Sequence, residues 1–365
     1  MSFGFSLKLP VASSTNAMAL VAAISVSVFA PATGYAQTPS TSQTSAAALQ
    51  PTFKDSTIAL ANGIVGRAVS FISANPRTAE DMIQHREMPP VTLHAKLFLP
   101  RREGRVPAVI IAPGSGGVSP SMVAHANALT ESGFAVMLID PFGGRGIRDT
   151  IAAQDQLSWA ASSYDVLAAL RALQQESDID GARIGAMGYS RGGLAVLDAT
   201  LTPLVESTLG SGKALRAALV GWPYCGRQFL EPRTTPTAVR FVLADMDNWV
   251  GTAHCQAYFN AMKPRNPAVS MRLFRNADHG FGYQTPVREI PNAIKALNAP
   301  IVYLDERGVY LDPWSDQPLP GADDRTFDSP FQPFISRGVR AGTRDNQAAE
   351  FTADFLAFFD RELNR

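Results

Sequence analysis

Two residue types that carry much of protein chemistry are scarce in this chain: its 365 residues include two cysteines and five histidines. Neither Cys225 nor Cys255 lies in a CxxC pair and only His254 adjoins one of them, so a metal-binding role is a poor fit and none is expected. Surplus charge of either sign is also missing. Lysine plus arginine and aspartate plus glutamate come to 32 each, which leaves no electrostatic footprint for nucleic acid. There is no solenoid-type repeat and no heptad run. What the chain has is apolar residues, 46% of the total, enough to bury one large core or two ordinary ones. Its 28 glycines and 26 prolines are scattered, as suits a fold with many short loops.

The N-terminus reads as an export signal over residues 1–36. Lys8 precedes an apolar, uncharged run from Ala17 to Ala30, and "ATGYAQT" offers small residues for a cut after Ala36. The run is short of the roughly 20 residues of a membrane span. Residues 37–57, rich in Ser, Thr, Gln and Ala, read as a flexible lead-in, leaving 58–365 as the folded domain. The expectation is a periplasmic or secreted protein without a membrane anchor after cleavage. In that oxidising setting Cys225 and Cys255 are expected to pair; the alternative is two buried free thiols.

From about residue 64 strands alternate with helices. "GIVGRAVSFIS" and "VTLHAKLFLP" read as an antiparallel pair, and "VPAVIIAP" as a strand covered on both faces. A helix is expected near Ser121–Ser132, then the strand "FAVMLID", then a helix over Gln156–Glu176. "RIGAMG", "ALRAALVGWP", "AVRFVLADMD" and "VSMRLFRNADHG" supply further strands, and Asn346–Glu362 a closing amphipathic helix. This order implies an α/β layer structure with a mostly parallel sheet and a ligand site beyond the strands' carboxyl ends. The stretch 282–343 has little periodicity and is too long for an ordinary loop. It reads as an insertion that partly covers the site, or as a peripheral flap.

The chemistry concentrates in Gly188-Tyr189-Ser190-Arg191-Gly192, which fits G-x-S-x-G. A strand precedes it and a helix follows, the context in which a serine is held at a sharp corner with its hydroxyl exposed above the sheet. Gly188 and Gly192 supply the clearance such a corner needs, and the helix N-terminus favours developing negative charge. A serine needs a base. On a corner of this kind the acid and then the histidine follow the serine in the chain. His85, His94 and His125 precede it, leaving His254, which looks helical, and His279, at a strand end before Gly280. His279 is therefore the expected base. For the acid, "FVLADMDNWV" offers Asp245 and Asp247; Asp247 lies farther past the apolar run and is preferred, while Asp278 reads as a solvated loop residue. The expected oxyanion donors are the N–H of Arg191 and an N–H from the loop Gly114–Gly117, Ser115 ahead of Gly116.

The motifs "PGSGG", "DPFGGRG", "GYSRGG", "WPYCG", "DMDNW…HC" and "ADHGF", in this order, resemble the dienelactone hydrolase family of the α/β-hydrolase superfamily over residues 90–285 and the last helix. The resemblance implies an eight-stranded, mostly parallel sheet with helices on both faces and no cofactor. It also implies hydrolysis of a small-molecule ester or lactone through an acyl-enzyme, with Asp247 rather than Asp245 as the acid. This chain departs from the family in having Ser190 where the founding enzymes have cysteine. Of the family's two arginines for a substrate carboxylate, Arg145 matches the first and Tyr283 stands at the second. Arg145 is thus either an anion anchor or a structural arginine. Tyr189 and Trp249 are the further candidates for substrate contact, with Trp222 and Tyr224 as possible pocket walls or packing residues. The rival readings are an exported peptidase of the same fold and a binding protein that has lost the chemistry.

Overall fold

The computed structural model describes residues 53–319, 322–323 and 331–364; the expected export signal and most of the lead-in lie outside them. The elements run β1 (Arg67–Ala74), α1 (Ala79–Ile83), β2 (Pro90–Phe98), β3 (Val106–Ala112), α2 (Pro120–Glu131), β4 (Ala135–Asp140), α3 (Trp159–Leu173), β5 (Ile179–Tyr189) and α4 (Arg191–Asp198). They continue through α5 (Thr202–Leu209), β6 (Ala217–Gly221), β7 (Arg227–Phe229), β8 (Ala238–Ala244), α6 (Ala253–Met262), β9 (Val269–Phe274), β10 (Arg288–Lys295), β11 (Val302–Leu304), β12 (Ser336–Ala341) and α7 (Gln347–Leu363).

Eight strands form one sheet in the order β1-β2-β4-β3-β5-β6-β8-β9. The first two pairings, β1 with β2 and β2 with β4, are antiparallel; every pairing from β4–β3 to β8–β9 is parallel. The reason is visible in β3. Ala108, Ile110 and Ala112 pack into a core shared with α3, α4 and α5, whereas Val109 and Ile111 pack into a second core with α2 and α7. Successive side chains of a strand point to opposite faces, so a continuous apolar run satisfies two helix layers at once. Helix α7 closes the second layer with Phe351, Phe355, Phe358 and Phe359, all buried.

The expected long helix is shorter than its apolar periodicity: α3 starts at Trp159, where Ser158 Oγ caps the backbone N–H of Ala161 at 3.0 Å, and Gln154–Gln156 forms a separate turn before it. The aperiodic 282–343 stretch contains regular structure that its composition hides. β10 and β12 form an antiparallel ribbon with a register shift between Ile290 and Ile294, and β11 pairs with β7 in parallel. Ribbons this short and this exposed need no apolar alternation to bury a face, so periodicity was silent about them. Among the described residues no helix is long and apolar enough to cross a membrane, and no group of three or more His, Cys, Asp or Glu is placed to hold a metal ion.

Candidate active site

The chain turns from β5 into α4 at Ser190, which takes φ 55° and ψ −114°, a region non-glycine residues rarely enter. Close approach on both sides fixes the flanking glycines. A Cβ on Gly188 would lie 2.1 Å from the Gly192 carbonyl oxygen, and one on Gly192 would lie 2.3 Å from that of Ala112. Ser190 donates its own N–H to Gly221 O at 3.0 Å, which ties the corner to the end of β6. The hydroxyl thus sits where α4 begins, at the carboxyl edge of the sheet.

His279 follows β9, and its Nδ1 lies 2.8 Å from Asp247 Oδ2, with both side chains almost fully buried. The other oxygen of Asp247 accepts the backbone N–H groups of Trp249 and Val250 at 2.8 and 3.0 Å. Those bonds hold the carboxylate's orientation. Asp245, two residues earlier, is exposed and accepts from the Ala277 N–H instead. Of the two sequence candidates, the one bonded to histidine is Asp247. His254 sits half-buried on α6, where burial lowers its pKa, and the earlier histidines stand elsewhere: His94 is paired with Ser70 across β1 and β2, and His125 is buried on α2.

A cavity of about 40 Å³ brings Ser190 together with Ser115, Arg191 and Trp249. Trp249 also lies against His279, ring centroids 4.7 Å apart, so it links the cavity to the Asp247–His279 pair. Beneath them the fully buried Trp222, Phe281 and Phe351 pack edge-on or tilted at 4.8–5.2 Å, a rigid bed for the histidine loop. Trp222 thereby belongs to packing.

Several sequence expectations about the site give way. Arg145 is not at the cavity. Its guanidinium makes two bonds to the Asp165 carboxylate, 2.8 and 2.9 Å, and others to Pro141 O, Ala74 O and Asn75 Oδ1. With its donors committed to buried acceptors it is the structural arginine, not the anion anchor. Tyr189 is fully buried on the side of β5 away from the cavity, stacked on Trp222 at 5.3 Å with its hydroxyl 2.7 Å from His125 Nδ1, and does not line the cavity. Asp278 is not solvated. It is buried and ion-paired to Arg340, at 3.1 Å, near the end of the 282–343 stretch, and to Arg344 just past it.

That stretch contributes Ile294, Lys295, Ala296 and Ile335 to the cavity wall, so of the two readings it is the one that covers the site. Trp249 Nε1 donates to Ile294 O at 2.9 Å, and Gly342 N–H donates to His279 O at 2.8 Å. Sequence reasoning also missed Gln154, whose Oε1 accepts from Ser115 Oγ at 3.1 Å and from Arg191 at 2.8 Å. Its place after β4, at the carboxyl edge where ligand sites gather, was the available signal. Cys225 and Cys255 form a disulfide with Cα atoms 5.1 Å apart, joining the loop after β6 to the start of α6.

Comparison with known proteins accords with this architecture. The sequence model of the dienelactone hydrolase family matches residues 93–300. A Bradyrhizobium protein named "Probable 2-oxo-3-(5-oxofuran-2-ylidene)propanoate lactonase" is 26% identical over 220 residues, 58% of this chain and 88% of the relative. Among solved structures, the apo form of Thermogutta terrifontis esterase 2 is 20% identical with a TM-score of 0.43, covering 53% of this chain and 81% of the esterase. The butyrate-bound form of that enzyme is 19% identical with a TM-score of 0.42, covering 57% and 86%. An eight-stranded, mostly parallel sheet carrying the family's ordered motifs, matched by the family model across more than half its length, leaves one assignment: the chain belongs to the dienelactone hydrolase family of α/β-hydrolases, enzymes that act on ester bonds.

Proposed function

We propose that this family member is an exported serine hydrolase that opens a small carboxylic ester or lactone through an acyl-enzyme, with Ser190, His279 and Asp247 as its triad. The observation that carries the reading is the buried 2.8 Å contact between His279 and Asp247, taken with a strained serine whose cavity is shared by the neighbouring Trp249. With Asp247 accepting at Nδ1, the proton is fixed on that nitrogen and Nε2 is left as the basic atom. Ser190 Oγ attacks the substrate carbonyl carbon while His279 Nε2 takes its proton. The negative charge then forming on the carbonyl oxygen is met by the N–H groups of Arg191 and Ser115. Collapse of that intermediate breaks the bond from the acyl carbon to the alcohol oxygen, which takes the proton from His279; an ester's alcohol departs, whereas a lactone's stays tethered to the acyl chain. Water repeats the sequence on the acyl-enzyme and frees the acid. The 2-oxo acid lactone in the Bradyrhizobium protein's name supports including lactones among the substrates, while the commitment of Arg145 to Asp165 speaks against the family's two-arginine carboxylate clamp here. The disulfide supports the oxidising compartment that the N-terminal signal implies.

The test is Ser190→Ala. Hydrolysis of short p-nitrophenyl esters should fall by about a millionfold, the loss typical of removing a triad nucleophile, and labelling by a fluorophosphonate probe should vanish with circular dichroism unchanged. Retained turnover or labelling would remove Ser190 from the mechanism.

A further inference from the structure

A second cavity, about 50 Å³, lies beside the one at Ser190, which is about 40 Å³, and the two share Trp159 and Tyr224 as lining residues. These rings stack on each other, centroids 5.0 Å apart and planes 20° from parallel. A cavity the size of the first holds about three water molecules, room for a short acyl group and little more. The second is walled by Ala299, Pro300, Val302 and Leu319, and the guanidinium of Arg227 on its lining is neutralised by buried Asp198 at 2.6 Å. Asp323 also lines this cavity, so it is the apolar wall rather than the whole surround that suits an alkyl chain.

The wall between them is held firmly. Trp159 opens α3 directly after its Ser158 cap, and the Arg191 guanidinium lies 3.9 Å from its ring centroid. That guanidinium is in turn fixed by Leu157 O at 2.9 Å and Gln154 O at 2.7 Å. Tyr224 is anchored by the neighbouring Cys225 disulfide and packs so closely on Gly226 that a Cβ there would lie 2.4 Å from the tyrosine hydroxyl.

We infer that the Trp159–Tyr224 stack is the specificity-determining partition of the acyl pocket: it stops the acyl chain at the first chamber, and its removal joins the two. The inference rests on the hydrolase reading for its activity assay, and on cavity geometry alone for binding. Each methylene newly buried in a joined chamber is worth about fourfold in transition-state or ligand affinity. Tyr224→Ala should therefore raise the ratio of kcat/KM for p-nitrophenyl octanoate over butyrate at least tenfold. Tyr224→Leu should do the same if the alanine variant folds poorly, and Tyr224→Phe, which keeps the ring, should return the wild-type ratio. In parallel, calorimetric titration with octanoate should show at least tenfold tighter binding to Tyr224→Ala than to wild type. A ratio within twofold of wild type in a folded alanine or leucine variant overturns the partition. If wild type cleaves neither ester, the hydrolase reading falls and the octanoate titration alone decides: tighter binding upholds the partition and equal binding overturns it.

Discussion

Lowering the pH should weaken this fold through one side chain, His125. It is buried on α2 with Nδ1 2.7 Å from the Tyr189 hydroxyl and Nε2 3.0 Å from Gly282 O, and it packs edge-on against Phe351 and Phe355. The two contacts assign the neutral ring: Nε2–H donates to the carbonyl, and Nδ1 accepts from the tyrosine. Burial drives the pKa down from 6.5 to about 4, with the Gly282 bond opposing it. The folded protein thus stays neutral at His125 while the unfolded chain takes up a proton near its ordinary value. Between those values the unfolded state binds more protons, so stability rises with pH. The contribution is complete above the unfolded value and is lost as pH falls through the folded one. Linkage gives a loss of about 2 kcal/mol on going from pH 7 to pH 5, and about 3 kcal/mol by pH 4. Urea unfolding of wild type and His125→Gln at pH 7 and pH 5 isolates this share, because other groups titrate alike in both. Wild type should lose about 2 kcal/mol more than the variant. Equal losses would show that His125 does not titrate as its burial requires.

Two further outcomes follow from buried charge and from the crosslink. Arg145→Leu should destabilise the protein by about 3–5 kcal/mol, because it leaves the Asp165 carboxylate buried without its partner. Burial already pushes that carboxylate's pKa upward against the arginine's pull, so adding Asp165→Asn should restore much of the loss in the same unfolding assay. A variant that stays stable but loses affinity only for anionic esters would return Arg145 to substrate binding. Replacing Cys225 and Cys255 together by serine removes a crosslink whose ends are 30 positions apart in the chain and should cost about 3.6 kcal/mol by chain entropy. A guanidinium midpoint shift worth under about 1 kcal/mol would show the loop to be held by other means.

The parts legible in the sequence are those set by local pattern. The strand–serine–helix corner, the order of strands and the Asp247–His279 pair follow from apolar runs, small residues at tight approaches and the shortage of histidines. What stayed hidden depends on partners distant in the chain. Arg145 looked available because its acceptor is Asp165, 20 residues on and one element away. Tyr189 looked like a pocket residue because it adjoins Ser190, yet alternation along β5 turns it to the opposite side, with Met187 in the core shared with α7. Asp278 adjoins His279 in a glycine-bounded loop and looked solvated, and only the return of the chain near residue 340 supplies the two arginines that neutralise it. Lys295 and Ile335 could not be located beforehand because a short ribbon leaves no hydrophobic period to read.

The long excursion after His279 leaves and rejoins the domain at one place. Thr343 N–H donates to Thr285 O at 2.8 Å, and Pro286 bridges Thr343. Such a pinched neck fixes the spacing of the excursion's two ends, so residues can be added or removed between its other anchors, the β11–β7 pairing and the Trp249–Ile294 bond, without altering the spacing of strands or the elbow below. Evolution or a protein engineer can therefore reshape the ceiling over the serine independently of the floor, and swap what the enzyme admits while keeping how it cuts.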